Sequence, residues 1–98
     1  MLLVAVEFRV APDDRQRFSD IALALTGPTR AETGCHFFEF WSDLDEAGRF
    51  LVYEGWASAA VLELHRETPH VAAFKAAAGE IGIAGMTASY YDAVETSI

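Results

Sequence analysis

Ninety-eight residues with 52% hydrophobic content read as a single domain, residues 1–98, with more apolar material than the roughly 45–50% of an average globular chain. Fifteen acidic residues against seven basic ones, a net charge of −8, argue against a nucleic-acid partner or an anionic membrane surface, since both need basic patches. One cysteine, Cys35, excludes an internal disulfide, so a reducing, cytoplasmic compartment is expected.

The N-terminal run MLLVAVEFRV has no basic leader region and is interrupted by Glu7, so it is read as a strand and not as a targeting signal. Val4, Val6, Phe8 and Val10 alternate with Ala5, Glu7 and Arg9, which predicts a strand over Leu2–Val10. APDDRQRF then opens a helix, with Asp13 as cap and Gln16 three residues on. Phe18, Ile21, Ala22 and Leu25 follow at helical spacing as its apolar face. TGPT, Thr26 to Thr29, is expected to interrupt that helix, with Pro28 restarting a short turn that Gly34 closes.

Cys35–Ser42 and Arg49–Trp56 are the next two strands, and the short polar loop Asp43 to Gly48 predicts an antiparallel hairpin. Both carry large apolar groups on both faces: Phe38, Phe40, Val52 and Trp56 against Phe37, Trp41, Leu51 and Tyr53. A sheet with one wet face would alternate more cleanly. Ser58 caps a helix reaching about Arg66, and Thr68-Pro69 starts another through Val71, Phe74, Ala78 and Ile81. Gly79, Gly82 and Gly85 loosen its end, and Met86 to Val94 is the last strand.

The order β-α-β-β-α-β is the ferredoxin-like α+β pattern, a four-stranded antiparallel sheet with helices on one face. The other face is equally apolar, and a partner sheet in a homodimer would cover it. No apolar run approaches the roughly 20 residues that span a bilayer.

PTRAETGCHFFEF, GRFLVYEGW and LELHRETPHVAAF, in this order and spacing, resemble the pattern of the antibiotic biosynthesis monooxygenase domain family along nearly the whole chain. The resemblance implies a dimeric α+β barrel with a small-molecule pocket between sheet and helices. It also implies one of several chemistries: cofactor-independent oxygenation of phenols or quinols, haem degradation, or isomerisation of a signalling sugar derivative. Fold membership does not choose among them. The haem branch carries a first-strand Asn and a last-helix His; here Phe8 and Lys75 stand near those places, which argues against it.

Within such a pocket, parity and helical spacing bring together Val6, Phe8, Phe38, Phe40, Val52, Trp56, Leu62, Val71 and Phe74 as substrate-contacting candidates, on an assumed hairpin register that the loop would also let slip by one residue. Glu54 and His65 are the catalytic candidates, His65 by its intrinsic pKa and Glu54 as its orienting partner or as a base raised by burial. Deprotonating a phenol or quinol yields an anion that itself reduces dioxygen, so no cofactor is expected. Two other readings use the same residues: a dimer that only binds a small aromatic ligand, and an acid–base isomerase for a small carbonyl compound. His70, in a first helical turn, is read as mainly exposed. Cys35 lacks a neighbour to activate it as a nucleophile. No metal-ligand spacing such as H-x-H, C-x-x-C or HExxH is present.

Overall fold

A computed structural model describes all 98 residues. Its elements are β1 (Leu2–Val10), a 3-10 turn (Pro12–Asp14), α1 (Arg15–Arg30), β2 (Cys35–Ser42), β3 (Arg49–Trp56), α2 (Ala59–Arg66), α3 (Pro69–Ala78) and β4 (Ile83–Asp92). The four strands form one antiparallel sheet in the order β2-β3-β1-β4. This is the α+β ferredoxin-like arrangement, with the helices on one face.

Phe18, which has 0% exposure, is the hub of the packing. Its ring lies 5.2 Å from Phe8, 4.8 Å from Phe50, 6.0 Å from Phe40 and 6.2 Å from Phe74. One α1 side chain thereby binds three strands and α3. Burying such a phenylalanine is worth roughly 1.5–3 kcal/mol, before its edge-to-face contacts are counted.

Ser58 accepts the Val61 N–H at 3.2 Å, and Thr68 Oγ1 accepts that of Val71 at 3.4 Å, so both expected caps form. Four expectations need correction. The helix α3 ends at Ala78 and does not reach Ile81. Asp13 does not cap α1: Pro12 starts a 3-10 turn that moves the helix start to Arg15, and the Gln16 amide turns to Asp20 instead. Nor does TGPT break the helix, because α1 runs through Pro28 to Arg30. A proline this near the end forfeits a single ladder bond at an exposed position, while Thr29 beside it is fully buried. Finally, β4 spans Ile83–Asp92, not Met86 to Val94. Its start is set by Val10, which pairs with Ile83 across an irregularity, and not by local propensity.

The sheet face away from the helices carries Leu3, Ala5, Phe37, Leu51 and Tyr53, all half-buried, with Trp41 and Tyr91 exposed. Phe37 and Tyr53 stack at 4.7 Å and 17°. The Phe37 ring lies over Gly55, where an added Cβ would fall 2.4 Å from a ring carbon. Gly55→Ala should therefore cost about 1–3 kcal/mol by overpacking in urea denaturation. Gly27→Ala, in α1 with open space around it, should be neutral or slightly stabilising; equal effects of the two would refute this packing account.

Candidate functional site

The site begins with two tight connections. After α1, Glu32 donates its N–H to Thr29 O at 3.1 Å, and its own carbonyl accepts from Cys35 at 3.2 Å. Gly34 follows at φ +86°, and an added Cβ there would stand 2.8 Å from Val61. The Gly34 carbonyl accepts the Ala57 N–H at 2.9 Å, which ties this turn to the start of α2. The second connection is Thr68, whose hydroxyl donates to His65 O at 2.7 Å while capping α3. One hydroxyl thus sets how α3 leaves α2.

Together these turns gather Glu32, His65 and His70. Glu32 Oε2 accepts from His65 Nδ1 at 2.6 Å and from His70 Nε2 at 2.8 Å. A carboxylate oxygen can only accept here, so the proton of neutral His65 sits on Nδ1 and its Nε2 lone pair is free. Nε2 has no protein partner. The imidazole is wedged between the Trp56 ring, at 4.5 Å, and Phe38, at 5.9 Å. Burial lowers the His65 pKa, more than the neighbouring Glu32 raises it.

Glu54 takes a different partner from the one expected. Its carboxylate accepts from Trp56 Nε1 at 2.9 Å, whereas the group orienting His65 is Glu32. Burial pushes the Glu54 carboxyl up to about 7, against the smaller opposing effects of the Trp56 hydrogen bond and the Arg66 charge.

A cavity of about 440 Å³ lies between sheet and helices, and Glu54 and His65 both line it. Of the sequence-derived candidates, Val6, Phe8, Phe38, Phe40, Val52, Leu62, Val71 and Phe74 also line it. Trp56 does not; with 0% exposure it sits behind the wall and supports Glu54 and His65. The β2–β3 register, Phe38 opposite Glu54 and Phe40 opposite Val52, supplies the common face. Arg66, Lys75, Met86 and Tyr90 line the cavity too and were not selected from sequence, although Arg66 and Lys75 fall on the same helical stripes as Leu62 and Val71.

Glu32 was missed because nothing local marks it, and His70 is half-buried instead of mainly exposed. The donor atoms of Glu32, His65 and His70 lie within 4.8 Å of one another. The separations of 2.6 and 2.8 Å suit hydrogen bonds, since ligand atoms around a tetrahedral zinc stand about 3.3 Å apart. A divalent cation would need the imidazoles to draw back from the shared oxygen. Cys35 is half-buried, and burial, helped by Glu32 and Glu54, pushes its thiol up to about 11. It stays protonated near neutrality and is no nucleophile.

Fold and cavity define a ferredoxin-like domain with an aromatic-lined cavity between sheet and helices and an ionisable pair on its wall. The sequence pattern of the family "Antibiotic biosynthesis monooxygenase" matches residues 1–77, and the chain belongs to that family. The uncharacterized protein sll1783 of Synechocystis is 33% identical over 69 residues, 70% of this chain; the match spans 47% of that protein, about half its length. "Putative monooxygenase Rv0793" of Mycobacterium tuberculosis is 32% identical over 78 residues, covering 80% of this chain and 76% of that one. Its solved structure superposes with a TM-score of 0.89 over 99% of this chain and 98% of that one, at 26% identity. A structure from Caulobacter crescentus CB15, a "putative antibiotic biosynthesis monooxygenase", gives a TM-score of 0.89 at 30% identity over 96% and 90% of the two chains. No helix is long and apolar enough to cross a membrane.

The buried Glu54 makes a pH prediction. Its folded-state pKa, about 7, lies above the ordinary carboxyl value of 4.5, so the folded chain binds the extra proton. That contribution to stability is complete below about pH 4.5 and is lost as pH rises through 7, in total roughly 3 kcal/mol. Glu54→Gln keeps an acceptor for Trp56 but cannot ionise. In urea titrations its stability relative to wild type should rise by that order between pH 4.5 and 8; a pH-independent difference would contradict the burial assignment.

Proposed function

We propose that this chain is a cofactor-independent monooxygenase for a small aromatic phenol or quinol, held in the cavity between sheet and helices. The observation carrying this reading is His65: Nδ1 is held by Glu32, and Nε2 is free in a cavity lined by Phe8, Phe38, Phe40 and Phe74. His65 Nε2 removes the substrate's hydroxyl proton. The resulting phenolate passes one electron to dioxygen, and the aryloxyl radical and superoxide combine in a new C–O bond. Protonation of the distal peroxide oxygen, with loss of the ring proton at that carbon, breaks the O–O bond and releases water and the quinone. The substrate supplies all four electrons that reduce dioxygen, two for the oxygen it keeps and two for the oxygen released as water. Glu54, poised near neutrality, is the proton donor for this last step, and the apolar walls keep water from the intermediates. Glu32 is a positioning residue, holding the tautomer that leaves Nε2 as acceptor.

Oxygen uptake over a hydroquinone panel tests this. His65→Ala should lose ~10²-fold or more in kcat, the usual contribution of a general base, and Glu32→Gln should lose less. The wild-type rate should rise as His65 loses its proton, with a midpoint below the ordinary histidine value of about 6.5, because burial depresses that pKa. No uptake with any phenol, or an unchanged rate without the imidazole, would overturn the assignment. The same buried acid–base pair supports isomerisation of a small carbonyl compound, which anaerobic turnover would reveal.

The sheet's open face is the second element of the proposal. Leu3, Ala5, Phe37, Leu51, Tyr53 and the exposed Trp41 and Tyr91 form a surface that a second copy would cover, closing a dimeric barrel. Sedimentation should find a dimer, and Leu51→Glu should shift it to monomer. A monomeric wild type would remove this part of the reading.

A further inference from the structure

The cavity has a polarity that names its ligand more closely. Its inner end lies under β3, where Glu54 and His65 are buried. Its outer side runs to the edge strand β4, where Met86 is 67% exposed and Tyr90 51% exposed. Two side-chain cations line the cavity, Arg66 and Lys75.

Neither cation is there by accident of helix length. On α2, Leu62, His65 and Arg66 stand at i, i+3 and i+4, and all three line the cavity. On α3, Val71, Lys75 and Ala78 follow at i, i+4 and i+7 and line it as well. Both cations therefore occupy the cavity-facing stripe of an amphipathic helix, where an apolar residue is the ordinary choice. Arg66 is braced at the rim by a hydrogen bond to Tyr90 Oη at 3.0 Å, with its guanidinium 5.8 Å over the Tyr90 ring. Lys75 is different. Arg9, Arg17, Arg49 and Arg66 pair with carboxylates, and Arg15 and Arg30 donate to backbone carbonyls; Lys75 alone of the seven has no protein partner.

We infer that the ligand is a hydroxyaryl carboxylate, with its hydroxyl inward at His65 and its carboxylate at the rim on Lys75 and Arg66. This deepens the function proposed above and rests on that cavity being the substrate site. The charge distribution fixes the orientation. A carboxylate turned inward would meet the buried Glu54 carboxyl, whereas turned outward it meets Lys75, which is unpaired, and Arg66, whose guanidinium it would share with Glu63. The protein's overall charge of −8 repels anions at long range, so preference for an acid has to come from this local pair. Size agrees as well. From β3 across β1 to β4 is two interstrand spacings, about 10 Å, which fits two or three fused rings in a volume of about 440 Å³.

The test is equilibrium binding under nitrogen, by tryptophan fluorescence or calorimetry, of 6-hydroxy-2-naphthoate and its uncharged carboxamide. Their hydroxyl and acyl groups stand at opposite ends of two fused rings. Wild type should bind the acid about tenfold more tightly than the amide, as a charge-assisted contact requires. That ratio should shrink towards one as salt is raised. Lys75→Met should lower the ratio to about two- or threefold, with amide affinity unchanged as the control for folding, and Lys75→Arg should restore it. Equal binding of acid and amide by wild type overturns the inference. So does equal loss of both in Lys75→Met, or failure of the acid to bind at millimolar concentration. Because turnover is not measured, absence of oxygen uptake would overturn the monooxygenase reading and leave this ratio intact.

Discussion

Everything in the site depends on the parity of one hairpin. Side chains on a strand alternate faces, so a slip of one residue between β2 and β3 would carry Phe38 and Phe40 out of the cavity and expose Phe37 and Trp41 to the helices. The observed register sets Phe38 against Glu54 and Phe40 against Val52. It is pinned at both ends. In the loop, Asp43 Oδ1 accepts the N–H groups of Asp45 and Glu46, and Gly48 adopts φ +81°. At the far end an irregularity at His36 lets Cys35 face Trp56.

Once the parity is set, the electrostatics follow from burial. Glu54 stands on an inner strand under the helices, with the indole N–H of Trp56 as its hydrogen-bond partner. Desolvation without a cation in contact favours the protonated acid, which is why its pKa rises to about 7. His65 is pushed the other way by the same cause, towards its neutral form. Burial thus favours the uncharged form of each, a carboxylic acid that keeps its proton beside an imidazole that gives its own up, so one cavity holds an acid and a base. Glu32 completes it from outside the cavity by holding both imidazoles through one oxygen.

The features legible in the sequence were those encoded by local periodicity. β1, β2, β3 and the caps at Ser58 and Thr68 could be read because alternation, helical spacing and a hydroxyl before a helix act over a few residues. The cavity walls were legible for the same reason, once the hairpin was recognised. Pro28 misled because a proline's cost depends on its distance from the helix end and on what Thr29 buries. The start of β4 could not be read because its partner, Val10, lies more than seventy residues away.

Sequence alone thus determined the ferredoxin-like order and offered, for one of two possible hairpin registers, an aromatic face that carries Glu54 beside His65. These follow from short-range sterics and the period of two or 3.6. Tertiary structure decided the pairings. Trp56 became the partner of Glu54 and a support behind the wall, Glu32 became the anchor of His65, and His70 joined them. Hydrogen bonds of this kind join residues 33 and 38 positions apart. No local pattern specifies them; they arise when two turns, one closed by Gly34 and the other by Thr68, meet at the end of the sheet.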